Sequence, residues 1–182
     1  TTRLSNLSLR GLSRLGVFVS PPLIMQIGVV NYRSNNHYAE YLLAEFERVS
    51  GKSLDNYWLS KGLNIDGQAM YDGSGLSPAN ALSAEFLTCV LRYMHERGIY
   101  SQAFRRSLPL AGREGTVSSF LKDTPLEGKV RVKSGSMSHV QTYAGYIDYK
   151  GKSYAFTILI NNYTGSRAEL RRQIERLLCG LF

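Results

Sequence analysis

The hydrophobic periodicity of this chain changes once, near Lys129, and that change limits what it can fold into. Before it, apolar residues recur at helical spacing. After it, segments 129–133, 141–149 and 153–162 are alternating, β-branched or aromatic, and Lys150-Gly151 is a tight-turn dipeptide between the last two. Three strands in immediate succession pair antiparallel, because a parallel pair needs a long crossover. The chain closes with Ser166-Arg167-Ala168-Glu169, a capping-box sequence, followed by Leu170, Ile174, Leu177 and Leu178 on one helical face. Helices, a meander and a packing helix predict an α+β fold, an antiparallel sheet packed with helices.

The helical half has recognisable punctuation. Ser20-Pro21-Pro22 offers an N-cap and first-turn prolines, and Leu23, Ile24, Ile27 and Val30 predict a helix over about 21–32. A polar break, Tyr32-Arg33-Ser34-Asn35-Asn36, separates it from a second helix over 37–49, which Ser50-Gly51 ends. A short helix over 54–63, a Gly-rich loop over 64–77 and a long helix from the Ser83 cap to about Arg97 follow. Short helices and loops fill 100–127, and Val17 to Val19 read as the end of a strand.

At 182 residues, this is one domain able to bury roughly 70% of its unfolded surface. Its longest apolar stretches, 15–19 and 22–30, fall short of the ~20 residues a membrane-spanning helix needs. The formal charge of +8 favours anionic ligands through long-range steering, but the basic residues are scattered or lie on helix faces, so nucleic acid is not expected as a partner. Cys89 and Cys179 sit in apolar helical contexts without C-x-x-C spacing, which argues for small thiols rather than a metal site and leaves one disulfide open. His37, His95 and His139 are too dispersed for a triad, though His139 falls near the second polar signature. The start at Thr1, without Met or a signal pattern, is read as that of a longer or processed chain.

Two polar signatures carry the chemistry. Ser34-Asn35-Asn36 falls at the junction of two helices, and Lys133-Ser134-Gly135-Ser136 at the end of a strand leading into a hairpin. In this order they match the S-x-N and K-T-G elements of penicillin-interacting serine enzymes. With Asp72-Gly73-Ser74-Gly75-Leu76-Ser77, Leu108-Pro109-Leu110-Ala111-Gly112 and Ala144-Gly145-Tyr146, the chain from Ser20 onward resembles the low-molecular-mass class C penicillin-binding proteins. These are D-alanyl-D-alanine carboxypeptidases and endopeptidases with a β-lactamase/transpeptidase-like fold.

The resemblance implies that residues 1–182 are the C-terminal portion of such a domain. The family's S-x-x-K nucleophile motif precedes S-x-N, and no such motif stands there, so the isolated chain is expected to be inactive. Ser119-Phe120-Leu121-Lys122 has the spacing in the wrong place and is read as a chance match on a helix surface. By resemblance, Ser34 relays a proton to the leaving nitrogen, Asn36 holds a substrate carbonyl and Lys133 supplies positive potential. Ser134, in place of the usual threonine, binds the terminal carboxylate, Gly135 admits the substrate backbone, and the Ser136 N–H is an oxyanion donor. Asp72 reads as a loop brace. Implied partners are peptidoglycan peptides ending in D-Ala-D-Ala, β-lactams and the N-terminal part of the same protein, in the periplasm or otherwise outside the cytoplasm, with no metal or cofactor. A β-lactamase-like hydrolase or esterase, and a noncatalytic module binding cell-wall polymer, are the alternatives.

Overall fold

A computed structural model describes residue 13 and residues 16–182. Five helices come first: α1 Leu23–Arg33, α2 Asn36–Ser50, α3 Leu54–Ser60, α4 Ala84–Glu96 and α5 Ser101–Ser107. A single 3-10 turn, Gly115–Val117, precedes strands β1 Val130–Met137, β2 Val140–Tyr149 and β3 Lys152–Asn161, and α6 Arg167–Leu181 closes the chain. Among the described residues no helix is long and apolar enough to cross a membrane.

Side-chain caps start most of the longer helices. Asn35 accepts the Tyr38 N–H at 2.9 Å, Ser83 the Phe86 N–H at 3.0 Å and Ser166 the Glu169 N–H at 3.2 Å. The expected Ser20 cap is not used. The Pro22 carbonyl takes the first helical N–H groups, from Met25 and Gln26, and α1 begins one residue later. The strand end expected at Val17 to Val19 is absent, and these residues are exposed without regular structure.

The sheet has the order β1-β2-β3, antiparallel throughout. Tyr149 faces Lys152, so Lys150-Gly151 forms a two-residue turn with both φ values positive, 47° and 76°. β1 does not stop at Lys133. It pairs with β2 as far as Met137 opposite Val140, which places the second signature inside the strand. The Ser and Gly residues are poor strand formers, and the continuous ladder to β2 overrides their local preference.

Each sheet face carries its own core. On one, Val130, Val132, Tyr143 and Ile147 pack with Phe120, Leu121, Leu126 and, from α6, Ile174 and Leu178. The Phe120 and Tyr143 rings stack at 4.1 Å between centroids. On the other, Tyr146 packs with Leu91 and Leu108 and donates its hydroxyl to the Leu91 carbonyl at 2.6 Å. Leu177 is exposed rather than buried, because Ile174 and Leu178 define the inward stripe of α6. Cys89 and Cys179 are both free thiols, which closes the disulfide option.

Gly145 on β2 lies tight against the backbone of β1. A methyl group there would strike the Arg131 carbonyl oxygen and lie 2.7 Å from Val132 Cα, both backbone atoms that cannot step aside. Gly145→Ala is therefore expected to cost about 2 kcal/mol or more, read as a lower denaturant midpoint. An unchanged midpoint would contradict this packing.

Candidate active site

α1 ends in a tight reversal. Ser34 takes the left-handed conformation with φ 51° and ψ 49°, Asn35 caps α2, and Asn36 is the first residue of that helix. The reversal is fixed from behind. Tyr32 donates its hydroxyl to Glu114 Oε2 at 2.8 Å, the same oxygen accepts the Leu110 N–H at 2.8 Å, and Arg131 Nη1 lies 3.7 Å from it. Burial first, and then donation to Glu114, push the Tyr32 phenol above its ordinary range. Tyr32 and Arg131 stand two residues before Ser34 and Lys133, so this clasp sets one signature against the other.

The result is a direct contact: Lys133 Nζ donates to Ser34 Oγ and to the Ser134 carbonyl. Lys133 is half-buried, and burial holds its ammonium below the usual lysine range. Because the ammonium donates to Ser34 Oγ, the serine proton points away from the lysine. Lys133 and Ser34 line a cleft of about 940 Å³ together with Asn36, Ser134, Gly135 and Ser136.

β1 is an edge strand with an open half. The segment before it covers Val130 and Val132, through Ala111 N–H to the Val130 carbonyl at 2.8 Å and Val132 N–H to the Pro109 carbonyl at 3.0 Å. Among the described residues nothing pairs with that edge beyond Val132. Antiparallel alternation therefore turns the backbone groups of Ser134 and Ser136 toward the uncovered edge. Gly135 has an additional reason to lack a side chain: a Cβ there would lie 2.6 Å from Thr142 Oγ1 on β2.

The Gly-rich loop forms another wall. Glu40 on α2 accepts the N–H groups of Gly73 at 3.1 Å and Ser74 at 3.0 Å. Asp72 braces the loop from within, accepting from Ser77 N–H at 2.6 Å and the Asn80 amide at 3.2 Å. Burial pulls the Asp72 carboxyl upward, but these donors and Gly75 N–H together hold it below its ordinary value.

Several residues lay beyond the reach of sequence reading. Ser119 is not on a helix surface. Leu121, with φ 59°, breaks the turn after it, Lys122 points to solvent, and Ser119 lines the cleft, where it accepts from Arg171 Nη1 at 2.9 Å. Thr116, 3.3 Å from Ser134 Oγ, and Arg167 are also in the wall. His139 donates from Nδ1 to the Tyr163 carbonyl at 2.9 Å and makes no triad.

The model of the D-Ala-D-Ala carboxypeptidase 3 (S13) family matches residues 8–179. The chain belongs to that family. It is 31% identical over 146 residues to a D-alanyl-D-alanine carboxypeptidase of Actinomadura sp., covering 72% of this chain and 27% of that protein. It is 28% identical over 178 residues to penicillin-sensitive carboxypeptidase A of Dictyostelium discoideum, covering 88% of this chain and 34% of the other. A crystal structure of penicillin binding protein 4 from Haemophilus influenzae with a β-lactam superposes with a TM-score of 0.77 at 25% identity, over 87% of this chain and 41% of that one. The fold is thus β-lactamase/transpeptidase-like. The chain spans between a quarter and about a third of the length of these two curated relatives.

The half-buried Lys133 makes stability depend on pH in a defined direction. Its native pKa lies below the unfolded value near 10.5, so in that window the unfolded chain binds more protons and stability rises with pH. Relative to Lys133→Met, the native protein should gain stability as pH rises through the window and carry its full penalty at lower pH. Chemical unfolding of both between about pH 7 and 10.5 measures this, and a difference that is flat or of opposite slope contradicts it.

Proposed function

We propose that the protein works as part of a serine-type D-Ala-D-Ala carboxypeptidase or endopeptidase, cleaving peptidoglycan peptides through an acyl-enzyme outside the cytoplasm, and that β-lactams acylate it. The observation that carries this reading is the hydrogen bond from Lys133 Nζ to Ser34 Oγ beside an uncovered strand edge. Membership in the S13 family supports it.

Acyl transfer needs a nucleophile, an oxyanion site, a proton for the departing amine and a grip on the substrate. Lys133, with its pKa held down by burial, is a readier proton donor than an exposed lysine. Its contact with Ser34 leaves the serine O–H directed away from it, so a proton can pass from lysine through Ser34 to the leaving D-alanine nitrogen. Asn36 holds a substrate amide carbonyl, and the open edge of β1 pairs with the extended peptide. The Ser136 N–H contributes to the oxyanion site and the Ser134 hydroxyl binds the terminal carboxylate. The attacking serine we assign to a segment outside residues 1–182, in keeping with the chain's share of its relatives' length. By itself the 182-residue chain is then without activity.

In the native polypeptide, Ser34→Ala and Lys133→Ala should each slow acylation by fluorescent penicillin and release of D-alanine by about 100-fold. Labelling and release at native rates in both variants would refute the assignment.

A further inference from the structure

We infer that Arg171, on the second turn of α6, is a specificity-determining residue of this cleft, donating from its guanidinium to the terminal carboxylate of the substrate peptide. This deepens the peptidase reading and rests on it. The cleft wall carries Lys133, Arg167 and Arg171 and, among the described residues, no Asp or Glu, so it favours an anionic ligand.

The two faces of β1 decide which cation meets the carboxylate. Lys133 lies opposite Ala144 and Ser134 opposite Tyr143, so strand alternation sends their side chains to opposite faces. The Lys133 ammonium is already engaged by Ser34 and the Ser134 carbonyl. The Ser134 hydroxyl lies on the α6 face, 3.3 Å from Thr116 Oγ1. A carboxylate gripped by that hydroxyl therefore sits on the arginine side of the strand. Arg171 lines the cleft together with Ser134 and with Tyr143, whose side chain lies on this face of the sheet against α6.

Arg171 is held in place with donors to spare. Glu175 Oε1 lies 3.7 Å from Nε, and Nη1 donates to Ser119 at 2.9 Å on the cleft wall. Glu175 is itself engaged by the Leu121 N–H at 2.9 Å. Of the five N–H donors of a guanidinium, the one on Nε is buried and one on Nη1 is spent on Ser119, so the remaining Nη donors are left for an entering carboxylate. Arg167 is occupied differently, with Nη2 on the Met137 carbonyl at 3.3 Å.

The test compares two substrates in the native polypeptide: a peptide ending in D-Ala-D-Ala with a free carboxylate and the same peptide ending in a carboxamide. Wild type should prefer the carboxylate. Arg171→Ala should raise KM for that substrate about ten- to hundredfold, leave kcat nearly unchanged and leave cleavage of the carboxamide unaffected. Arg171→Lys, which keeps the charge but not the fork, should fall between them, and it carries the test if thermal unfolding shows that Arg171→Ala does not fold. Arg172→Ala, on an exposed part of the same helix, controls for net charge and should behave as wild type. Equal carboxylate preference in wild type and the Arg171 variants overturns the inference while leaving the peptidase reading intact. A wild type that cleaves neither peptide overturns both.

Discussion

The site depends on one carboxylate. Glu114 receives the Tyr32 hydroxyl, the Leu110 N–H and the charge of Arg131, and so ties the end of a helix, a loop and the edge strand to a single point. Hydrogen bonds to a charged acceptor are the stronger kind, and three partners around one group fix direction as well as distance. The backbone is tight there as well: a Cβ on Gly115 would come within 2.5 Å of the Tyr32 carbonyl oxygen. Two residues beyond the clasp on either side, Ser34 and Lys133 have little choice but to meet.

That meeting sets the electrostatics. A half-buried ammonium is unfavourable by itself, and the fold offsets part of the cost by giving it two oxygen partners. What remains is a cation with a lowered proton affinity beside a hydroxyl and an unpaired strand edge. The same alternation that builds the sheet separates the Lys133 ammonium, on one face of β1, from the Ser134 hydroxyl on the other. The α6 helix, which covers the core on that second face, brings its arginines into the cleft as it does so.

Much of this was legible in the sequence because it is written locally. The Ser83 and Ser166 caps, the Lys150-Gly151 turn and the succession of three strands depend on neighbours within a few residues. The two signatures were legible as motifs, and their contact agrees with the resemblance that joined them. What was hidden depends on partners far apart in the chain. The extension of β1 to Met137 is decided by β2, against the local preference of Ser and Gly. Neither Tyr32 meeting Glu114 nor Arg171 meeting Ser119 has any periodic signal. Ser119 was misassigned to a helix surface because a buried Leu121 in the left-handed region breaks the helix such spacing suggests.

If Ser34 and Lys133 act as one proton-transfer unit, their contributions to acylation must not be independent. A double-mutant cycle on the penicillin acylation rate of the native polypeptide measures this directly. The double replacement Ser34→Ala with Lys133→Ala should be hardly slower than either single replacement, as for residues that act together. Losses that multiply, each replacement slowing the reaction by the same factor whether or not the other is present, would mean that the two side chains touch without sharing a task.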